Sequence, residues 1–97
     1  MIEVHVRYSF ESNEIRDAFY KAAKEAGVVK ASKEETGNIS YNYYLPVEED
    51  CVIFLLEQWK DAKALKEHGE SEHYAKLGEI KADYVLKTDI VKYEDVK

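Results

Sequence analysis

The chain has 97 residues, a length that suits one compact domain over residues 1–97 and leaves no room for an appended catalytic module. Its 20 acidic residues outnumber its 14 lysines and arginines, so it lacks the basic footprint of a protein that binds nucleic acid. Hydrophobic residues make up 45% of the chain and aromatic residues 12%, which excludes a disordered acidic tail and predicts a folded domain.

The chain opens with a segment that alternates between apolar and polar side chains. One face of residues 2–10 carries Ile2, Val4, Val6, Tyr8 and Phe10. This period of two predicts a first strand. Ser12 and Asn13 are typical helix-start residues, and apolar side chains then recur at the spacing of one helical face until a stop at Gly27. The sequence therefore predicts an amphipathic helix after the strand, while residues 28–35 are compatible with either a strand or a further helix.

Two more apolar segments lie on either side of an acidic turn. Residues 39–45 alternate, and Cys51–Gln58 form a more continuous apolar run. Pro46 and the acidic residues 48–50 separate them, which predicts a β-hairpin. The acidic pair at residues 34–35 and the acidic run at 48–50 are both expected to form solvated turns.

The last third of the chain has the signals of two short helices and a final strand. Asp61 can cap a helix that Gly69 interrupts, and Ser71 can begin the next one. A last strand is predicted near residues 84–93. The resulting order of strand, helix, strand, strand, helix, strand predicts an α+β fold, a ferredoxin-like βαββαβ sandwich with an antiparallel sheet.

The third predicted strand is apolar on both of its faces. Residues 51–56 carry apolar side chains at every position, so the sheet face turned away from the helices also needs cover. We expect a second copy of the chain to supply it, in a homodimer.

The cysteine content and the lack of long apolar runs bear on localisation. Cys51 is the single cysteine and cannot form an intramolecular disulfide, which indicates a reducing compartment. The N-terminus lacks the residue order of a secretory signal, and the longest apolar run is too short to span a bilayer. We therefore expect a cytoplasmic protein with no membrane partner.

The histidines and the tryptophan are the side chains best suited to chemistry. His68 and His73 each lie beside the apolar stripe of a short helix, where they can line a shared cleft or brace the break at Gly69. Trp59 can pack in the core or form a pocket wall. His5 lies on the polar face of the first strand, where it is expected to be solvated or to pair across the sheet with Asn42 or Ser40.

A metal site is not expected from the spacing of these residues. His68 and His73 are five positions apart, across a glycine, and lack the i, i+4 spacing of a helical metal-binding pair. No third ligand lies at a fixed spacing from them. Cys51 opens an apolar strand and is expected to be a small buried side chain rather than a nucleophile.

Two segments together resemble the antibiotic biosynthesis monooxygenase superfamily. In the first, Glu57 lies two positions before Trp59, His68 follows the tryptophan by nine positions, and Ser71-Glu72-His73 comes next. The second, Glu35 to Tyr41, resembles the Glu-x-Gly-x-x-x-Tyr segment of that family. The resemblance implies a dimeric α+β barrel, in which two ferredoxin-like sheets pack face to face. This is consistent with the two-sided apolar strand.

The resemblance also implies a range of activities. The family includes quinol monooxygenases that use no metal or flavin, polyketide anthrone oxygenases, haem-degrading enzymes and a signal-molecule isomerase, so the fold alone does not set the reaction. The haem-degrading branch carries an asparagine on the first strand, where this chain has His5 or Val6. That difference argues against haem degradation.

From the resemblance we expect a cofactor-free oxygenase that acts on a quinol-like or polycyclic phenol. His68 is the expected catalytic residue, a neutral imidazole that takes a phenolic proton so that the substrate anion can react with O2. Trp59, His73, Tyr41 and Glu57 are the expected substrate-binding residues. The alternatives are a small-ligand-binding or stress-response domain without enzymatic activity on the same dimeric scaffold, or a haem-degrading or isomerase member of the family.

Overall fold

The computed structural model describes residues 1–95, which form an α+β sandwich with helices on one face of a sheet. In chain order the elements are β1 (Ile2–Ser9), α1 (Asn13–Glu25), α2 (Val28–Lys33), β2 (Asn38–Tyr44), β3 (Val52–Trp59), α3 (Ala62–Gly69), α4 (Glu72–Tyr84) and β4 (Lys87–Tyr93). The predicted hairpin is β2 and β3. The segment after Gly27, whose sequence is compatible with either a strand or a helix, forms the helix α2.

The four strands form one antiparallel sheet in the order β2-β3-β1-β4. β1 therefore lies between β3 and β4, as the split βαβ arrangement requires, and the predicted ferredoxin-like fold is confirmed. Val4 of β1 lies opposite Glu57 on one side and Lys92 on the other, so these three side chains share the helix-facing side of the sheet.

The strand order shows that one predicted pairing is wrong. His5 lies opposite Leu56 of β3 and Val91 of β4, and β3 separates it from Asn42 and Ser40 on β2. Its Nε2 atom lies 3.1 Å from Glu3 Oε2, and its ring lies 4.8 Å from the ring of Tyr93. Sequence alternation indicates which face a side chain occupies, but it does not indicate which strand is its neighbour.

The core lies between the sheet and the helices, and the first strand contributes the apolar face that its alternation predicts. Alternate residues of β1 are buried, and they pack with side chains from α1, β2 and β3. The most deeply buried large side chains include Trp59, Tyr41, Phe19 and Leu55. The half-buried Ile15, Leu65 and Ile80 pack against this core from the helices.

The helix starts follow local side-chain chemistry. The side chains of Ser12, Asp61 and Ser71 each accept a hydrogen bond from a backbone N–H of the following first turn, which confirms the three predicted helix starts. Gly27 has a φ of 81°, a left-handed conformation that glycine adopts without a steric penalty, and this residue separates α1 from α2. The last strand begins at Lys87 rather than near residue 84, because α4 continues through Tyr84.

A close approach between the start of β2 and α3 shapes the region where the candidate site lies. A Cβ atom placed on Gly37 would lie 2.2 Å from Ala64 Cβ, so only glycine fits there without movement of α3. The N–H of Lys60 donates to the carbonyl of Gly37 at 2.8 Å. This contact brings the segment before β2, which contains Glu35, against α3.

The other sheet face carries a mixture of apolar and polar side chains. Phe54 and Leu56 are half-buried at its centre, and Tyr44, Val91 and Tyr93 are about half exposed around them. Within residues 1–95, no helix has the length and apolar character needed to cross a membrane.

Candidate functional site

One carboxylate and two imidazoles meet where α2, α3 and α4 come together. Glu35 follows α2, His68 lies in the last turn of α3, and His73 lies in the first turn of α4. Glu35 Oε2 lies 2.8 Å from His73 Nε2 and 2.5 Å from His68 Nδ1. A single carboxylate oxygen thus binds both rings, and we call these three residues the Glu35 cluster.

The cluster sets the tautomer of His68. A carboxylate can only accept hydrogen bonds, so Nδ1 of His68 carries the hydrogen that it donates to Glu35. In the neutral ring, Nε2 is then the nitrogen with a free lone pair. His68 is 3% exposed, and burial lowers its pKa, although the bond to Glu35 opposes that change. The neutral imidazole is therefore the favoured form near pH 7.

A second carboxyl group lies on the other side of the His68 ring. Glu57 Oε1 is 3.9 Å from His68 Nε2 and accepts a hydrogen bond from Trp59 Nε1 at 3.0 Å. Burial raises the pKa of Glu57 to about 7, with the charge of Glu35 adding to the shift and the Trp59 bond opposing it. Glu57 can therefore exist in either protonation state near neutral pH.

Aromatic rings hold His68 in place. The Trp59 ring centre lies 4.5 Å from that of His68, and Tyr74 and Tyr41 contact it at 5.2 and 5.8 Å. Burial raises the pKa of Tyr41 well above its usual value, so this hydroxyl stays protonated. Because packed rings leave little freedom, the direction of Nε2 is fixed before any ligand arrives.

A cavity of about 320 Å³ lies between the helices α3 and α4 and the sheet. Its walls are mostly apolar, with Val4, Val6, Tyr8, Leu65, Leu77 and Ile90 among them. The lining also includes one acidic residue, Glu57, the imidazole of His68, the two lysines Lys81 and Lys92, and Tyr74. This size and composition suit a small, largely apolar ligand that a few polar groups orient.

The residues expected from the sequence to act on a ligand fall into two groups, those that line the cavity and those that surround His68. His68 and Glu57 line the cavity. Trp59, Tyr41 and His73 surround His68, where they contact its ring or share its carboxylate partner. The structure thus brings the other four residues around the imidazole of His68, but Trp59, Tyr41 and His73 are not among the residues that line the cavity.

Glu35 is the residue of the site that the sequence reading missed. The prediction that it belongs to a solvated acidic turn is wrong, since its side chain is only 18% exposed and binds both histidines, while the neighbouring Glu34 is exposed. Glu35 precedes His68 by 33 positions, and no local period connects the two. Two signals were available: Glu35 opens the segment that resembles the family, and a glycine just before a strand, two positions later, indicates a close approach of the backbone.

The Glu35 cluster also has the donor set of a metal site. Among residues 1–95, the ligand atoms of Glu35, His68 and His73 lie within 4.8 Å of one another. Two imidazoles and a carboxylate are common ligands of divalent transition metals. The spacing of the two histidines predicts no third ligand, but the fold brings Glu35 to them as one. In the described geometry these atoms hydrogen-bond one another, so a metal ion would have to replace both bonds.

Comparison with known proteins and solved structures gives similarities in sequence and in fold. The chain is 36% identical over 61 residues to the "Putative monooxygenase YcnE" of Bacillus subtilis (strain 168). That match spans 63% of this chain and 62% of YcnE, so it covers less than two thirds of the relative.

Solved structures resemble the fold over nearly its whole length. A "Putative antibiotic biosynthesis monooxygenase from Nitrosomonas europaea" superposes with a TM-score of 0.86 at 22% identity, covering 100% of both chains. A conserved protein from Methanosarcina mazei Go1 superposes with a TM-score of 0.85 at 26% identity, covering 95% of this chain and 89% of its own.

The match at the level of the family includes both segments that carry the resemblance. Residues 1–79 match the family described as "Antibiotic biosynthesis monooxygenase", a range that contains the Glu35 cluster, Glu57 and Trp59. The fold, the order of the motifs and this match agree: the chain belongs to the antibiotic biosynthesis monooxygenase family.

Proposed function

We propose that this chain is a monooxygenase that oxidises a small quinol-like or polycyclic phenol with O2 and needs no bound cofactor. The observation that supports this most is the arrangement of His68, a residue that lines a cavity of about 320 Å³ and whose Nδ1 donates to Glu35, which leaves the lone pair on Nε2. Membership of the family and the name of the Bacillus subtilis relative are consistent with the proposal.

The first step is removal of the phenolic proton. A phenol bound in the cavity donates its hydroxyl to His68 Nε2, and the proton moves to the imidazole as the phenolate forms. Glu35 then faces an imidazolium, so its negative charge stabilises the product of this transfer. The ring becomes electron-rich enough to give an electron to O2.

The remaining steps place one oxygen atom on the substrate. The phenolate gives one electron to O2, and the resulting phenoxyl radical and superoxide combine to form a C–O bond at a ring carbon that carries hydrogen. The imidazolium returns its proton to the outer oxygen of this peroxide. Loss of the carbon-bound hydrogen and cleavage of the O–O bond then release water and leave a carbonyl. The substrate loses two hydrogens and gains one oxygen, and the second oxygen atom leaves in the water.

The other expected site residues support this reaction in different ways. Glu57, when protonated, can donate a hydrogen bond to a substrate oxygen beside His68. Trp59 orients Glu57 through a hydrogen bond from its indole N–H, and its ring packs against the ring of His68. Tyr41 and His73 complete the packing and the hydrogen bonding around that ring.

We also propose that the protein acts as a homodimer, as one domain over residues 1–97, in the cytoplasm. The half-buried Phe54 and Leu56 at the centre of the open sheet face support the dimer. The unpaired Cys51 supports a reducing compartment.

Oxygen uptake tests the activity. Native protein is mixed with a panel that includes anthrone, 1,4-naphthalenediol and 2-naphthol, and uptake is compared for native protein and His68→Ala, with and without a chelator. We expect uptake with at least one member, loss of that uptake in His68→Ala, and no effect of the chelator. Absence of uptake with every member, or full uptake by His68→Ala, contradicts the proposal.

The same samples distinguish the alternatives that the fold allows. Saturable binding of a panel member without oxygen uptake favours a binding or stress-response domain. A Soret band with added haemin, followed by slow bleaching with a reductant, favours the haem-degrading branch. Loss of activity in chelator favours a metal bound at the Glu35 cluster.

A further inference from the structure

The cavity has a cationic end that the proposed reaction does not use. On α4, Tyr74, Gly78 and Lys81 lie at positions i, i+4 and i+7, which places them along one face of the helix. Tyr74 contacts the His68 ring, whereas Lys81 lies seven residues further, about 10 Å along the helix axis. The base and the lysine therefore lie toward opposite ends of the same cavity.

Lys81 is a half-buried cation without an acidic partner. Its Nζ lies 5.2 Å from the centre of the Tyr8 ring, and burial lowers its pKa with no carboxylate opposing the change. Within residues 1–95 it forms no ion pair at 4.0 Å or less, whereas Lys63 and Lys92 each pair with a glutamate. A desolvated ammonium of this kind gains a charge-assisted hydrogen bond when an anion binds beside it.

Gly78 leaves open space between the two ends. It lies inside α4 and on the cavity wall, and a Cβ atom placed there would meet nothing within 4 Å. Glycine in a helix interior is less favourable than alanine. No neighbouring side chain packs so closely against Gly78 that a larger residue would clash with it. The opening is suited to a flat ring system lying across the helix.

We propose that the substrate is an aromatic acid, with its phenolic hydroxyl at His68 and its carboxylate bound by Lys81. Two fused rings that carry these groups at opposite ends match the rise of about 10 Å along α4 from Tyr74, which contacts His68, to Lys81. This inference rests on the proposed function, because it deepens the assignment of the same cavity. It adds that the chain selects anionic phenols over neutral ones.

Binding of two matched probes tests the inference. The dissociation constants of 6-hydroxy-2-naphthoate and of 2-naphthol are measured by calorimetry for native protein, Lys81→Gln and Lys76→Gln. Lys76 lies on the same helix but is exposed and does not line the cavity, so its variant is the matched control. We expect native protein and Lys76→Gln to bind the carboxylate probe about tenfold more tightly than 2-naphthol. Lys81→Gln should lose this preference and retain its affinity for 2-naphthol.

A blocking variant shows whether the probes occupy this cavity. Gly78→Leu fills the open space on α4, and we expect it to weaken the binding of both probes. Equal affinity of native protein for the two probes, failure of both to bind, a preference that survives in Lys81→Gln, or unchanged binding in Gly78→Leu overturns the inference. If 6-hydroxy-2-naphthoate binds through Lys81 but neither it nor any panel member consumes oxygen with native protein, aromatic acids remain ligands of this cavity and only the proposed activity fails.

Discussion

At the scale of single residues, the site depends on how two carboxylates divide their tasks around one imidazole. Glu35 accepts from Nδ1 and keeps the charge that stabilises a protonated ring. Glu57 lies on the Nε2 side in a drier environment, where burial raises its pKa to about 7. Different surroundings thus give the same side chain two different tasks, the acceptor of the Nδ1 hydrogen bond at Glu35 and a group that can carry a proton near pH 7 at Glu57.

Replacing Glu35 by glutamine tests the first of these tasks. Glu35→Gln keeps the shape but removes the charge, so we expect kcat to fall about 100-fold, at the lower end of the usual contribution of general base catalysis. Nitrogen NMR of the His68 ring gives a readout that does not need activity. Native protein should show hydrogen on Nδ1, and the variant should show a mixture of tautomers.

Glu34→Gln is the matched control, since Glu34 is adjacent in sequence but exposed. We expect it to behave like the native protein in both measurements. An unchanged His68 tautomer in Glu35→Gln, together with full activity, would remove Glu35 from the mechanism.

The raised pKa of Glu57 predicts how stability depends on pH. Below about pH 4.5 the group is protonated in the folded and the unfolded chain. Between that pH and about 7, the unfolded chain releases a proton that the folded chain retains, so the free energy of unfolding falls as pH rises. Glu57→Gln keeps a neutral acceptor for Trp59, and we expect it to match native stability at pH 4.5 but to exceed it by about 2–3 kcal/mol at pH 8.

Urea denaturation at the two pH values measures this difference. Comparing native protein with the variant cancels the opposite contribution of His68, whose lowered pKa reduces stability as pH falls. Glu70→Gln, at an exposed position, should follow the native protein at both pH values. Parallel pH profiles for native protein and Glu57→Gln would show that Glu57 ionises normally.

At the scale of elements, the site depends on how closely β2 approaches α3. Gly37 and Ala64 are in direct contact, and the same approach brings Glu35 within reach of His68. A side chain at Gly37 must displace α3, which carries His68, from the segment that carries Glu35.

Gly37→Ala tests this contact. The added Cβ would lie 2.2 Å from Ala64 Cβ, so we expect a loss of about 1–3 kcal/mol in the free energy of unfolding. Urea denaturation provides the measurement. Ala64→Gly alone should cost about 1 kcal/mol through lower helix propensity.

The double variant Gly37→Ala, Ala64→Gly restores the space between the two elements. We expect it to be more stable than the sum of the single effects indicates, because the clash is absent. If the two substitutions changed the free energy of unfolding additively, the contact with Ala64 would not be the reason that position 37 requires glycine.

The elements that follow from local rules could be predicted, and the contacts between distant segments could not. The caps at Ser12, Asp61 and Ser71 and the alternation of β1 are local, and the structure confirms them. The neighbours of His5 depend on strand order, which alternation does not contain. The final strand begins late because α4 continues through Tyr84.

The candidate site shows the same division. His68 and Trp59 lie in one short segment, and the spacing of its acidic, aromatic and histidine residues identified both as candidate site residues. Glu35 comes from a distant part of the chain, and its role depends on the folding of α2 and on the contact at Gly37. Lys81 and Gly78 lie on the cavity wall, yet nothing in their local sequence distinguishes them from other surface residues.

At the scale of the whole molecule, the open sheet face predicts association with a second copy. Leu56 lies at the centre of that face, opposite His5 and Asn42 on its two neighbouring strands. We expect a dimer by sedimentation at micromolar concentration, and a monomer for Leu56→Lys, because a buried unpaired ammonium would destabilise the interface. Lys76→Gln, on a helix, should remain a dimer. A monomeric native protein contradicts the barrel arrangement.

The stoichiometry of oxygen tests the central claim most directly, that His68 starts the transfer of one oxygen atom to a phenol. Native protein with an active panel member is followed by an oxygen electrode and by mass spectrometry of the product, and catalase is added at the end. We expect one O2 consumed per product, a mass gain of one oxygen with loss of two hydrogens, and no oxygen returned by catalase. His68→Gln should show none of this turnover. Return of half the oxygen with catalase would indicate peroxide from a simple oxidase, and undiminished turnover in His68→Gln would place the reaction elsewhere.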